Sequence, residues 1–231
     1  MPTELIIAYT LFLFVVLYVA ITMKSVVNAM FNITWSIWPI IAWLCLTAAA
    51  STSGFLLDFS ATPPRIALLI VPPFATVIYI VSRRSITPWL DAQPLTTLIL
   101  PQTFRIVVEL VLWLLFLSGK LASLLTFEGR NFDVIAGIGA VAAYLYLRRT
   151  PSAAVSLIFN ITGLLLLVNV TVHGIGSTPT ALNIFTTVPP NTIMATWPMV
   201  WLPAFVVPSA YLLHFLSLRQ THRYRTTLST K

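Results

Sequence analysis

The 231-residue chain is 58% hydrophobic and 8% charged, with a formal net charge of +7 at pH 7. A soluble domain carries about 25% charged residues to cover its surface, so these values exclude an ordinary water-soluble fold and indicate an integral membrane protein. One cysteine, Cys45, excludes a disulfide framework and a thiolate metal cluster. The basic excess favours anionic lipid over nucleic acid as the partner.

Apolar runs follow one another along the chain, and a membrane helix needs about 20 such residues. The sequence therefore predicts an all-α, polytopic membrane bundle of seven transmembrane helices in a single domain, 1–231. The predicted spans are residues 5–23, 30–50, 66–82, 102–118, 132–147, 153–172 and 197–218.

Prolines interrupt two of these spans, and two connections are longer than a turn. Pro39 in the second span, with Pro72 and Pro73 in the third, predicts kinks because proline lacks the backbone N–H. Residues 85–101 are expected to lie on the cytoplasmic surface, and residues 174–196 to fold back over the outer face of the bundle.

Basic residues alternate between the two sides of the predicted bundle. Connections after odd-numbered spans hold nine of the 13 Lys and Arg residues: Lys24, Arg83, Arg84, Arg148, Arg149, Arg219, Arg223, Arg225 and Lys231. Basic residues are enriched in cytoplasmic connections. The pattern therefore predicts an outside N-terminus, a cytoplasmic C-terminus and a multi-pass location in the cell (inner) membrane.

The fourth span carries polar residues on one helical face. Gln102, Arg105, Glu109 and Trp113 are spaced i, i+3, i+7 and i+11, among largely apolar neighbours. A charge within a membrane is costly, so we expect Arg105 and Glu109 to pair with each other and to face the protein interior. Such a pair is either a functional site or a structural lock between helices.

Depth along each span suggests which other residues join this pair. At about 1.5 Å per residue, Arg105, Glu109, Asn160 and His214 all fall within the cytoplasmic half of their spans. We expect them to form an inner binding pocket together with Gln102. His214 is either a hydrogen-bonded interior histidine or an acid/base group.

A second polar cluster precedes the fifth span. The segment from Thr126 to Asp133 contains Glu128, Arg130, Asn131 and Asp133 and is predicted to be a loop on the outer face. Asn131 is expected to cap the following helix, and Asp133 to favour its positively polarised N-terminal end. No ligand spacing in the sequence supports a metal site.

Two sequence segments in this region resemble those of uncharacterised bacterial multi-pass membrane proteins, over about residues 101–140. They are Gln102-Thr-Phe-Arg-x-x-x-Glu109 and Thr126-Phe-Glu-Gly-Arg-Asn-Phe-Asp133. The resemblance implies a prokaryotic membrane origin and carries no assigned activity.

Three functions are compatible with the sequence. The first is binding or transport of a small polar or anionic solute, or proton exchange during transport, through the inner pocket. The second is an enzyme acting on a lipid-borne substrate, with Glu109 and His214 as acid and base or with the outer loop as its site. The third is a non-catalytic subunit or scaffold. The expected partners are the bilayer and a small solute or lipid; no cofactor is predicted, and the oligomeric state is left open.

Overall fold

The computed structural model describes residues 2–229, and this part of the chain is helical, with no β-strand. Short 3₁₀ turns occur between helices, and a π-helical turn, Leu202–Val206, leads into the last one. The α-helices of the described part are α1 (Thr3–Phe31), α2 (Ile37–Thr52), α3 (Ala67–Ser82), α4 (Thr87–Ala92), α5 (Phe104–Leu117), α6 (Val134–Leu147), α7 (Ala153–Gly176) and α8 (Val207–Ser229).

Each predicted span overlaps one of these helices, and the short α4 lies within the predicted surface segment 85–101. Four helical stretches are long and apolar enough to cross a membrane, or five if α3 and the following helical residues, which bend by 62°, form one span. Helices α2 and α6 are apolar but shorter. The all-helical architecture is therefore established, while the count of seven crossings stays a prediction.

Basic side chains mark one end of the bundle, which we call the basic end. Arg219 on α8 donates hydrogen bonds to the carbonyl oxygens of Val81 and Arg83, both at 2.7 Å. Nearby, Arg223 pairs with Asp91 on α4. At the opposite end, the Ser51 hydroxyl at the end of α2 donates to the Ala195 carbonyl (2.9 Å).

Small residues allow close helix packing around α6. Its buried face carries Ala136, Ala140 and Ala143. A Cβ atom on Gly137 would lie 2.8 Å from the backbone nitrogen of Ile106 on α5, so only glycine permits this approach. Small residues at helix interfaces are typical of membrane bundles, in which packing replaces the hydrophobic effect as the force between helices.

The prolines occupy different helical positions from one another. Pro72 and Pro73 lie inside α3. Because α2 begins at Ile37, Pro39 falls in its first turn, where a missing N–H removes no helical hydrogen bond, so the kink expected there has no cause. All three line one cavity of about 390 Å³, together with Pro208 of α8.

The connection between α5 and α6 differs from the expected outer loop. Gly119 adopts a left-handed conformation (φ 72°), and the Lys120 N–H donates to the Leu115 carbonyl (2.9 Å), which ends α5 and reverses the chain. Residues 118–133, here called the returning segment, then run back along α5. Trp113 Nε1 donates to Glu128 Oε1 (2.6 Å), and Asp133 reaches Arg105.

The returning segment changes where α6 begins. Arg105 lies 12 residues before the end of α5, about 18 Å along the helix axis. Because Asp133 contacts Arg105, α6 starts inside the bundle and not at its end. The predicted placement of Asp133 on the outer face is therefore wrong.

Candidate functional site

A buried ion pair joins the start of α5 to the start of α6. Arg105 Nε donates to Asp133 Oδ2 (2.7 Å), and its Nη2 donates to Asp133 Oδ1, so the pair is bidentate. Both residues are buried; Arg105 is only 1% exposed. Burying one such charge alone costs several kcal/mol, and the second charge offsets that cost only because the geometry is good.

This pairing replaces the one expected from the sequence. Arg105 and Glu109 are one turn apart on α5, but the ion pair of Arg105 is with Asp133. The short side chain of Asp133 reaches Arg105 because Gly137 lets α6 pack against the α5 backbone. The predicted Arg105–Glu109 pair is therefore wrong.

Arg105 also fixes the protonation of His214 on α8. Arg105 Nη1 lies 2.8 Å from His214 Nε2, and His214 Nδ1 lies 2.9 Å from Asn160 Oδ1. A guanidinium can only donate, so Nε2 must accept and Nδ1 must carry the proton. His214 is thus neutral, and its N–H donates to the Asn160 amide oxygen.

The hydrogen bonds continue from Asn160 toward the basic end. Asn160 Nδ2 donates to Ser217 Oγ and to the Ser156 carbonyl, both at 2.8 Å. The Thr221 hydroxyl donates to the Ser217 carbonyl (2.7 Å), so the 2.6 Å contact between Ser156 and Thr221 has Ser156 as its donor. We call this set the Arg105 network: Arg105, Asp133, Ser156, Asn160, Gly163, His214, Ser217 and Thr221.

Gly163 on α7 gives the network its space. Its carbonyl oxygen accepts from Arg105 Nη2 (3.0 Å). A Cβ atom at this position would lie 2.4 Å from His214 Cε1 and 3.3 Å from Arg105 Nη1. A side chain on residue 163 would therefore separate α7 from the arginine and the histidine.

Glu109 lies beside the network without joining it. Both of its carboxyl oxygens are buried and make no hydrogen bond with the described residues; the backbone N–H of Phe127 is near but outside hydrogen-bond limits. The carboxyl group lines a cavity of about 30 Å³, as do Arg105, Asn131 and Asp133. A cavity of this size has room for about one or two water molecules.

The remaining predicted site residues are dispersed. Gln102 is buried, and its Nε2 donates to the Ala210 carbonyl (3.2 Å). Glu128 and Arg130 have exposed side chains, whereas Asn131 is buried and donates to the Leu125 carbonyl (3.2 Å). Asn131 does not cap α6; its Oδ1 accepts from the Asp133 N–H (3.0 Å), and Asp133 holds the N-cap position.

Of the predicted inner pocket, the structure brings together Arg105, Asn160 and His214 and leaves out Gln102 and Glu109. No hydrogen bond joins Glu109 to His214. The two ring nitrogens of His214 already bond to Arg105 and Asn160. Four network members were not predicted: Ser156, Gly163, Ser217 and Thr221. Their spacing was the available signal, since Ser156, Asn160 and Gly163 share one face of α7, and His214, Ser217 and Thr221 one face of α8.

Comparison with known proteins gives a family but no activity. The family described as Domain of unknown function (DUF8737) matches residues 65–221. No curated protein and no solved structure matches the chain. The matched range contains Glu109 and the whole Arg105 network. Because the match covers more than half of the chain, this protein belongs to the DUF8737 family.

Proposed function

We propose that this protein is a seven-span protein of the bacterial inner membrane, with its N-terminus outside and its basic end in the cytosol. The apolar helices and the many exposed apolar side chains support embedding in lipid. The clustering of basic residues at one end supports the orientation, since such residues favour the cytoplasmic side. In this arrangement the returning segment and α6 together complete one crossing.

Within this membrane bundle, we propose transport of a small solute with proton exchange at Glu109. The observation that carries the proposal is the buried Glu109 carboxyl group, which has no hydrogen-bond partner among the described residues and lines a cavity. A bare carboxylate in such a place costs several kcal/mol, so Glu109 holds a proton while the cavity contains nothing that stabilises its charge. Water or a solute that enters the cavity then accepts the proton, which leaves Glu109 as a carboxylate.

Binding of an anionic solute by Arg105, the other form of the transport hypothesis, has less support. The guanidinium already donates to Asp133, His214 and Gly163. An anion would have to displace the Asp133 carboxylate, which is held by two hydrogen bonds. With Arg105 and Asp133 neutralising each other, Glu109 is the only further ionisable group among the described residues that line the cavity, and a buried carboxyl group favours a proton over an anion.

The proton at Glu109 cannot use the Arg105 network as its path. Arginine does not release its proton at physiological pH and has no acceptor atom, so Arg105 separates the cavity from His214. Exchange at Glu109 therefore proceeds through the cavity, which Asn131 and Asp133 of the returning segment also line. The network itself positions α5, α6, α7 and α8 around that cavity.

Infrared difference spectroscopy of the reconstituted protein tests this proposal. We expect a carbonyl stretching band from a protonated carboxyl group that shifts on transfer to D₂O and disappears in Glu109→Gln. Glu128→Gln is the matched control, because Glu128 is an exposed glutamate of the same region and its substitution should leave the band in place. Proton release into liposomes that contain a pH-sensitive dye should fall in Glu109→Gln only.

A band that persists in Glu109→Gln, or one that never exchanges with D₂O, would contradict proton exchange at this residue. The latter result would favour the scaffold alternative. That alternative has its own support in the Arg105 network, whose donors and acceptors bond largely to one another and connect four helices.

A further inference from the structure

A cavity much larger than the one beside Glu109 lies near the end of the bundle opposite the basic end. It has a volume of about 290 Å³ and is bounded by α3, α7, the π-helical turn and the connection between α7 and α8. Its walls are mostly aliphatic and aromatic, and include Ile70, Phe74, Val170 and Leu202. This volume is at the low end of the range for small-molecule sites, which are also mostly apolar with a few placed polar groups.

The mouth of this cavity faces the surface that lipid would cover. Val71 on α3 and Leu182 in the α7–α8 connection both line the cavity, yet they are 62% and 59% exposed. An apolar rim of this kind admits a molecule from the hydrocarbon phase of a membrane and repels a charged solute. The expected ligand is therefore apolar over most of its length.

One buried polar atom in the cavity lining favours a ligand that carries a hydrogen-bond donor. Asn191 is 2% exposed, its Nδ2 donates to the Gly174 carbonyl (2.9 Å), and its backbone N–H donates to the Ser177 carbonyl (2.9 Å). Its Oδ1 has no hydrogen-bond partner among the described residues. An unpaired buried acceptor is unfavourable, so a ligand that supplies a donor here gains affinity and selectivity.

We propose that this cavity binds one alkyl chain of a hydroxyl-bearing membrane lipid or long-chain alcohol, with the hydroxyl donating to Asn191 Oδ1. The aliphatic walls take the chain, and the amide oxygen selects an alcohol over an ether or a hydrocarbon of equal length. The site shares wall residues Leu112, Val170, Leu202 and Val207 with the small cavity beside Glu109, but Glu109 does not line it. The proposal therefore stands independently of proton exchange.

Photolabelling in detergent tests the site with a defined probe, a dodecanol analogue that carries a diazirine in its chain. We expect labelled residues on α3, α7 and the connection between α7 and α8. Unlabelled dodecan-1-ol should compete about tenfold better than its methyl ether, which has the same chain and no donor. Equal competition by the two would overturn the role of Asn191, and labelling confined to other helices would overturn the site.

Gly174 offers a variant that fills the cavity. Gly174 lines the cavity, and a Cβ atom there would meet no atom of the described residues within 4 Å, so Gly174→Phe can place its ring in open space. We expect Gly174→Phe to reduce labelling at least tenfold and the matched control Gly174→Ala to change it less than twofold. If Gly174→Phe does not fold, Ala67→Phe fills the cavity from the α3 wall.

Unchanged labelling in a folded cavity-filling variant would refute the proposal. Glu109→Gln should label as the wild type does, which separates a failure of this site from a failure of proton exchange at Glu109. Labelling that does not saturate with probe concentration would show nonspecific partitioning into detergent and would also count against the site.

Discussion

Arg105 and Asp133 form a bidentate, buried ion pair across 28 residues of sequence, and the pair sets the depth at which α6 begins. Through the same guanidinium, α7 contributes the Gly163 carbonyl and α8 contributes His214. One side chain thus contacts three other parts of the bundle. Removing the Arg105 guanidinium should therefore disturb the packing of α6, α7 and α8 together.

Removing either charge of this pair should destabilise the protein strongly. We expect Arg105→Met and Asp133→Asn each to lower the free energy of unfolding by about 3–5 kcal/mol, because the remaining partner is left buried. The double variant should lose about 1–3 kcal/mol less than the sum of the two. Thermal unfolding in detergent measures all three, and additive losses would contradict the pairing.

The pair Arg65–Asp58 provides the matched control. Its side chains are each 36% exposed and lie 2.7 Å apart, so the corresponding changes Arg65→Met and Asp58→Asn should leave the unfolding temperature almost unchanged. Combining Arg105→Met with Glu109→Gln tests the pairing that the sequence suggested. Strong coupling in that combination would mean that Arg105 contacts Glu109 after all.

Gly163→Ala should destabilise the protein although it adds one methyl group. The new Cβ atom would lie 2.4 Å from His214 Cε1, and overpacking of this kind costs about 1–3 kcal/mol. Gly174→Ala on the same helix places its Cβ in open space, so it should be neutral or stabilise by up to about 1 kcal/mol. Equal unfolding temperatures for the two variants would show that α7 is not packed against His214.

The ring nitrogens of His214 should be distinguishable by ¹⁵N NMR. Because Arg105 donates to Nε2, we expect the neutral tautomer with its proton on Nδ1. His214→Asn identifies the signals by removing them. A proton on Nε2 would require Arg105 to have moved away from the ring.

Reporter fusions test the proposed orientation without knowledge of the function. A reporter after Lys231 should be cytosolic, and a tag before Met1 should be accessible from outside the cell. Both results follow from an odd number of crossings with the basic end in the cytosol. Labelling of both ends from one side would require an even number.

The helices were predictable because hydropathy reports burial in lipid directly. Every predicted span overlaps a helix, and several boundaries agree within two residues, as for 66–82 and α3, although α1 and α8 extend well beyond their spans. The depth of the polar residues was not predictable in the same way, because counting along a span assumes that each connection stays outside the bundle. The fifth predicted span, 132–147, held the contrary signal: its 16 residues are too few to cross a bilayer unaided.

The candidate site was predictable only in part for a related reason. Arg105, Asn160 and His214 stood out because polar residues are rare in apolar helices, and the structure joins all three. The partner of Arg105 was misassigned because local spacing favours Glu109, whereas the contact with Asp133 depends on the course of the returning segment. Sequence spacing cannot report a contact made by a non-helical segment.

The length of α6 also bears on how the protein is inserted into the membrane. Its 14 residues reach about 21 Å, less than the roughly 30 Å of a hydrocarbon core. Lipid could not satisfy the backbone N–H and C=O groups of the returning segment that precedes it. These groups bond within the segment and to α7; for example, Asn169 Nδ2 donates to the Arg130 carbonyl. We therefore expect α6 to enter the bilayer together with α7, after both have been synthesised, and not as an independent unit.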